Sequence, residues 1–285
     1  MRDKQNRAPK KHRSDFHHSK RLGQNFLVDA ETIAAIIDGS DIDEETAVIE
    51  IGPGEGALTS EFVERAGRVI AIELDDRLIP KLHKRFQFYD NIDIIHADIL
   101  KTDVAALIEN AHTEYGMKKV RIIGNLPYYI TTPIIMNLVQ LRLKAESVTA
   151  MMQKEVADRL LAEPGTSKAS AITYVVHYYS DVSKIRDVDK TCFYPMPKVD
   201  STLIRMDLRD EPSVKVRDEK LFFRCIKAGF MLRRKTLANS LSTMDDFDRD
   251  TINRVLNSVG VDSKRRAESL SMQEFADISD ALLEA

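Results

Sequence analysis

The stretch Ala47-Val48-Ile49-Glu50-Ile51-Gly52-Pro53-Gly54-Glu55-Gly56 decides the fold. Its first five residues are an apolar, β-branched run that reads as a short buried strand. The glycines then permit a tight turn, and a helical pattern follows from Leu58 to Arg65. Glycine adopts positive φ cheaply and lets backbone approach a ligand with no Cβ in the way, so strand, glycine turn and helix in that order suit a nucleotide-cofactor loop. Glu73 ends the next strand, about 20 residues on, where a carboxylate can accept both hydroxyls of a ribose.

Outward from that unit the pattern repeats. Arg68 to Glu73, Ile92 to His96, Val120 to Asn125 and Ser147 to Met152 read as strands, with helices near Leu78 to Phe88, Val104 to Ala111 and Pro133 to Leu141 between them. Alternation of this kind predicts an α/β, Rossmann-like parallel sheet covered by helices on both faces. Ala171 to Tyr179 and Val199 to Leu208 are expected to be further strands of the same sheet. Arg209 to Ser213 breaks the pattern, and beyond it Leu221, Phe222, Cys225, Ile226 and Phe230 recur at helical spacing, followed by Leu237 to Leu241, Ile252 to Leu256 and Phe275 to Leu283. The expected organisation is a basic N-terminal tail (1–21), a cofactor-binding domain (22–208) and a small C-terminal helical domain (209–285).

A dinucleotide-dependent oxidoreductase would share the glycine turn and Glu73. Three features favour a methyl donor instead. The third glycine follows the second by two residues where the dinucleotide pattern has three. Glu50 and Glu55 would repel a diphosphate, whereas a cationic sulfonium tolerates acids nearby. Asp98, just past the third strand, can accept a hydrogen bond from an adenine amine, although a helix-capping acid would also stand there. These features point to S-adenosyl-L-methionine as cofactor.

Gly124-Asn125-Leu126-Pro127-Tyr128-Tyr129 ends the fourth strand, where this kind of sheet places its chemistry. The Asn125 side-chain carbonyl and the Leu126 backbone carbonyl can accept both hydrogens of an exocyclic amine and direct its lone pair at a methyl group. Pro127 fixes the backbone so that the acceptors converge. Tyr128 offers a face on which an extruded base can stack. No general base is required, because the proton leaves after transfer.

The formal net charge of -3 argues against a uniformly basic nucleic-acid binder, but the charge is uneven. Met1 to Arg21 and Lys215 to Lys235 each carry eight Lys/Arg against two acids, which suits a phosphate-rich partner. Cys192 and Cys225 are far apart and lack metal-type spacing, so neither a disulfide framework nor a metal site is expected. No apolar run has membrane-spanning length. The expected setting is the cytoplasm, without a membrane partner.

Six blocks in order resemble the ribosomal RNA adenine N6-dimethyltransferase family over nearly the whole chain. They are Gln24-Asn25-Phe26-Leu27, Glu50-Ile51-Gly52-Pro53-Gly54, Ile72-Glu73-Leu74-Asp75, Ala97-Asp98, Asn125-Leu126-Pro127-Tyr128, and Phe193-Tyr194-Pro195-Met196-Pro197-Lys198-Val199-Asp200-Ser201. The resemblance is strongest to the small-subunit dimethyladenosine transferase branch; the large-subunit branch usually carries isoleucine at the position of Leu126. It implies a class I methyltransferase fold in which Asn25 and Leu27 close over S-adenosylmethionine from the N-terminal segment. By the same resemblance Gly52, with Gly54 beside it in the loop, would meet the cofactor's amino-acid part, Glu73 its ribose and Asp98 its adenine. Asn125 would span cofactor and target amine, and Phe193 would supply a second aromatic surface on a loop stiffened by Pro195 and Pro197, with core packing beside Tyr194 as the alternative reading of that aromatic. The implied reaction is dimethylation of two adjacent adenines near the 3' end of small-subunit (16S) rRNA in an immature subunit. The helical domain would dock there as part of a monomer, with Arg233, Arg234 and Lys235 on phosphates. A large-subunit rRNA methyltransferase and a non-catalytic RNA- or DNA-binding assembly factor are the competing readings.

Overall fold

The computed structural model describes residues 24–140 and 144–285. The basic tail of residues 1–21 lies outside the described residues. The elements run β1 (Phe26–Leu27), α1 (Ala30–Ser40), β2 (Thr46–Ile51), α2 (Thr59–Phe62), β3 (Arg68–Glu73), α3 (Ile79–Phe86), β4 (Ile92–His96), α4 (Val104–Thr113), β5 (Lys119–Asn125), α5 (Thr131–Gln140), β6 (Ser147–Gln153) and α6 (Lys154–Leu160). They continue with α7 (Ala171–Tyr179), β7 (Ser180–Val188), β8 (Phe193–Tyr194), β9 (Ser201–Leu208), α8 (Glu219–Met231), α9 (Leu237–Leu241), α10 (Arg249–Ser258) and α11 (Met272–Leu282).

Seven strands form one sheet in the order β4-β3-β2-β5-β6-β9-β7. The first five in that order are parallel, as the alternation predicts. The remaining pairings, β6 with β9 and β9 with β7, are antiparallel, so the sheet is mixed rather than wholly parallel. Every residue of β2 is buried, which explains its continuous aliphatic run: a strand covered on both faces does not alternate. On one face α1, α2 and α3 contribute Ile36, Phe62 and Leu82 to a core with Val48 and Val69. On the other, α4, α5 and α7 contribute Ile108, Ile135 and Tyr174 against Ile49 and Ile122.

Ala171 to Tyr179 corrects the sequence reading, because it is helix α7 and not a strand. Its β-branched and aromatic residues favour a strand locally, but Ser170 and Thr173 form a capping box that starts a helix. Tyr174 and Tyr178, one turn apart, are both fully buried. Tyr174 packs on Phe275 and Phe230, and Tyr178 on Phe222. A segment covered on all sides carries no amphipathic stripe, so its period is invisible in the sequence. The unforeseen last strand is β7, whose mostly polar, alternately exposed residues suit a sheet edge.

The helices α8 to α11 follow the predicted spacing, with Leu221, Phe222, Cys225 and Ile226 buried on one face of α8. Phe230 is partly buried against the same cluster. Their apolar residues join the α4–α5–α7 core in one continuous cluster, and the Tyr179 hydroxyl of α7 donates to Glu219 of α8.

Candidate active site

The strand order changes direction between β2 and β5, which are adjacent in space but not in sequence. In open α/β sheets the crevice at such a switch point, beyond the carboxyl ends of the strands, is where ligands bind. Ile51 is in register with Gly124, so Gly52 and Asn125 leave the sheet side by side. The close approach requires glycine at 124: a Cβ there would lie 2.8 Å from the Ile51 carbonyl oxygen.

A cavity of about 240 Å³ opens at this point. Its wall is built from the N-terminal segment (Gln24 to Val28), the end of β2 and its glycine turn (Glu50 to Glu55), Ile72 to Leu74, Ala97 to Ile99 and Asn125 to Ile130. Of the residues singled out from the sequence, Asn25, Leu27, Gly52, Gly54, Glu73, Asp98, Asn125, Leu126, Pro127 and Tyr128 all border it.

Gly52 and Gly54 have φ of +71° and +60°, so side chains are disfavoured on both. A Cβ on Gly52 would have only the Asn125 carbonyl oxygen within 4 Å, at 3.9 Å, and one on Gly54 would strike the Phe26 ring at 2.8 Å. The backbone is therefore bared toward the cavity at one glycine and packed under an aromatic ring at the other.

Glu73 is 6% exposed, and its two oxygens accept from the backbone N–H groups of Gly54 (3.1 Å) and Asp75 (2.8 Å). Burial raises its pKa, and these two donors oppose the rise. Each oxygen keeps a further acceptor site for a hydroxyl. Asp75 is held below the usual carboxylate range by Arg77 and also accepts from the Gln24 side chain at 2.7 Å. That bond fastens the N-terminal segment to the β3 end, while β1 pairs antiparallel with β8, Leu27 opposite Phe193. Asp98 accepts from the Leu100 N–H at 3.0 Å, so it shapes its own turn as well as bordering the cavity.

The Asn125 amide nitrogen donates to the Asn25 backbone carbonyl at 2.9 Å. In a planar amide this directs Oδ1 away from the N-terminal segment. Leu126 donates its N–H to Met151, and among the described residues its carbonyl receives no donor. Tyr128 is half-buried, with its hydroxyl 2.7 Å from Ser201 Oγ. Its pKa is raised by burial, which keeps the hydroxyl protonated.

Phe193 does not border the cavity. It is 3% exposed and belongs to the same core cluster as Leu27 and Ile36, the alternative the sequence left open for it. Tyr194 and Tyr129 are the exposed neighbours, at 56% and 55%. Arg233, Arg234 and Lys235 sit in the exposed turn between α8 and α9 and pair with no carboxylate among the described residues. Two other cations of that cluster are neutralised, Arg217 by Glu284 and Arg224 by Asp246.

Sequence reasoning gave no role to Gln24, Thr59 or Ser201. Gln24 and Ser201 lie inside the quoted blocks, so a signal existed; Thr59 acts only through Glu50, as described below. The cavity suits S-adenosylmethionine: one bared glycine, a buried acid for a ribose and an acid-rich wall that favours a cation over a diphosphate.

The family model described as ribosomal RNA adenine dimethylase matches residues 15–282. Ribosomal RNA small subunit methyltransferase A of Geobacillus thermodenitrificans (strain NG80-2) is 46% identical over 274 residues, 95% of this chain and 93% of that protein. The protein of the same description from Clostridium botulinum (strain Loch Maree / Type A3) is 45% identical over 94% of this chain and 95% of its own length. Among solved structures, a dimethyladenosine transferase from Plasmodium falciparum superposes with a TM-score of 0.74 at 26% identity, covering 91% of this chain and 96% of that one. The 23S rRNA methyltransferase ErmE does so with 0.68 at 26% identity, covering 90% and 99%.

Proposed function

The chain belongs to the ribosomal RNA adenine dimethylase family, and from that premise we propose that it dimethylates the exocyclic amines of two adjacent adenines near the 3' end of small-subunit (16S) rRNA, using S-adenosylmethionine. The observation that carries this reading is the placement of Asn125: it ends β5 beside Gly52, in one cavity with Glu73 and Asp98, with its amide nitrogen already engaged.

Gly52 and Gly54 hold the cofactor's amino-acid end, Glu73 accepts from its ribose hydroxyls and Asp98 from its adenine. Leu27 and Asn25 cover it from the N-terminal side. Bound there, the cofactor supplies an electrophilic methyl group on a sulfonium. Asn125 Oδ1 and the Leu126 carbonyl accept the two hydrogens of the target amine, opposing delocalisation of its lone pair into the ring. Pro127 keeps those acceptors convergent, and the Tyr128 ring, braced by Ser201, supports the flipped base. No side chain near the amine needs to act as a base, since positioning and electrostatics lower the barrier.

The helical region 209–285 docks the enzyme on rRNA in the immature small subunit, with Arg233, Arg234 and Lys235 on phosphates. The enzyme acts as a cytoplasmic monomer. Incubation with labelled S-adenosylmethionine and, separately, immature small and large subunits, followed by mass-spectrometric mapping, tests the reading. Label on two adjacent adenines of the small subunit is expected; label in the large subunit alone would overturn the assignment. Asn125→Ala is expected to abolish transfer while RNA binding persists, which also separates an enzyme from a non-catalytic assembly factor.

A further inference from the structure

Glu50 is 1% exposed, on the central strand β2 between Ala71 and Ile123, and it lies in the wall of the cofactor cavity. One of its oxygens accepts from the Thr59 hydroxyl at 2.6 Å. No Lys, Arg or His among the described residues lies within ion-pairing distance of it. Of the polar and charged residues that line the cavity with it, all but Arg85 are acidic or neutral. From β3 comes Glu73, and from α2 Thr59. Asn125 of β5 and Gln24 and Asn25 of the N-terminal segment carry no charge.

Among the described residues, the cations in or near the cavity wall, Arg85 included, have partners other than Glu50. Lys81 pairs with Glu55 at 3.7 Å, Arg85 donates to the Glu55 carbonyl, Arg77 pairs with Asp75, and Lys101 sits 3.9 Å from Asp98. A carboxyl sealed from water and left without a cation is expensive to ionise, yet becomes an efficient partner for any positive charge brought beside it. The two forms of the cofactor differ in that respect: the donor carries a sulfonium cation, and the product left after methyl transfer carries a neutral thioether.

We propose that Glu50 is a specificity-determining residue for the cofactor, neutral before binding and ionised when the sulfonium donor enters, so that the pocket favours the charged donor over the uncharged product. This rests on the reading of the cavity as an S-adenosylmethionine site. Burial and the neighbouring Glu73 push the Glu50 carboxyl up to about 8, so near pH 7 it holds its proton in the unliganded protein. On donor binding the O–H bond of that carboxyl breaks, the proton passes to the buffer, and the carboxylate left behind faces the sulfonium. After methyl transfer the sulfur is neutral, the carboxylate loses its partner, and a proton returns. Release of the spent cofactor is thereby coupled to reprotonation.

The test is isothermal titration calorimetry of the full chain with S-adenosylmethionine and with S-adenosylhomocysteine at pH 7, in buffers of different ionisation enthalpy. The wild type is expected to release close to one more proton with the donor than with the product. The sulfonium makes the donor's α-amino group more acidic than the product's, so each ligand's own proton uptake, obtained from its titration in free solution, is subtracted before the comparison. In Glu50→Gln, an isostere of the neutral side chain, the difference is expected to vanish. In Thr59→Val, which removes the hydroxyl that favours the carboxylate, the release is expected to move to higher pH. Below pH 8 the preference for donor over product in the wild type should rise by up to about tenfold per pH unit, since one proton is exchanged. Equal proton release with both ligands, or a difference that survives in Glu50→Gln, would overturn the proposal while leaving the cofactor site intact. Failure of either ligand to bind would overturn both.

Discussion

Asn125 and Asn25, a hundred positions apart in the chain, are joined by a 2.9 Å hydrogen bond from the side-chain amide of the first to the backbone carbonyl of the second. The contact fixes which end of the Asn125 amide is turned away from the N-terminal segment, so that segment sets the geometry of the cavity wall as well as bordering it. Because the acceptor is a backbone carbonyl, the chain must be held in place here, whatever side chain residue 25 bears.

Asn125→Asp should therefore be as damaging as removal of the side chain. A carboxylate has no N–H to give to the Asn25 carbonyl, and two acceptors would face each other. A loss of about 10²–10³-fold in kcat is expected, the size typical of one misplaced transition-state hydrogen-bonding group. Single-turnover kinetics with a saturating donor check it; a variant within tenfold of wild type would show that amide orientation does not matter.

Gln24→Ala removes the side-chain bond to Asp75 that ties the N-terminal segment to the β3 end. The expected effect is a several-fold rise in the dissociation constant for S-adenosylmethionine, since closing an untethered segment costs conformational entropy at each binding event. Melting temperature should barely change. Titration by fluorescence or calorimetry measures the affinity.

Gly54→Ala places a methyl group 2.8 Å from the Phe26 ring and on a backbone with φ of +60°. Both penalties act together, and destabilisation of about 1–3 kcal/mol is expected. Donor binding should weaken further because Phe26 must move off the cavity wall. Thermal melts with and without S-adenosylmethionine separate the two effects.

Tyr128→Phe keeps the ring and loses the bond to Ser201, whereas Tyr128→Ala loses the stacking face. The alanine variant should weaken the interaction with the target base by about 1–3 kcal/mol, and the phenylalanine variant by much less. Comparable defects in KM and kcat for both would mean that the hydroxyl, not the ring, is what the site uses.

Glu50 also makes stability depend on pH. Its carboxyl titrates near 8 in the folded protein against an ordinary 4.5, so the native state binds the proton more tightly than the unfolded chain. That contribution is fully present below about pH 4.5 and is lost as pH rises through 8. Glu50→Gln has no proton to lose, and its melting temperature should fall less than that of the wild type between pH 5 and 8. Parallel melting curves across that window would show that Glu50 is not the buried acid responsible.

The glycine turn, the acid about 20 residues beyond it and the Asn-Leu-Pro-Tyr block were legible in the sequence because each is a local necessity: a tight turn, a strand end, a proline-fixed backbone. So were the parallel strands, whose double-sided burial leaves uninterrupted aliphatic runs. Local pattern failed at Ala171 to Tyr179, where burial on every side erased the helical period and left only β-favouring residue types. It could not decide at Phe193, because an aromatic beside a site and an aromatic in the core have the same sequence signature. The sequence by itself determined the order of the elements from β2 to β6 and the set of chemical groups. Tertiary structure alone decided that Asn25 orients Asn125, that Gln24 latches onto Asp75, and that Glu50 is sealed from water with no cation beside it among the described residues, since each depends on distance and burial between segments far apart in the chain.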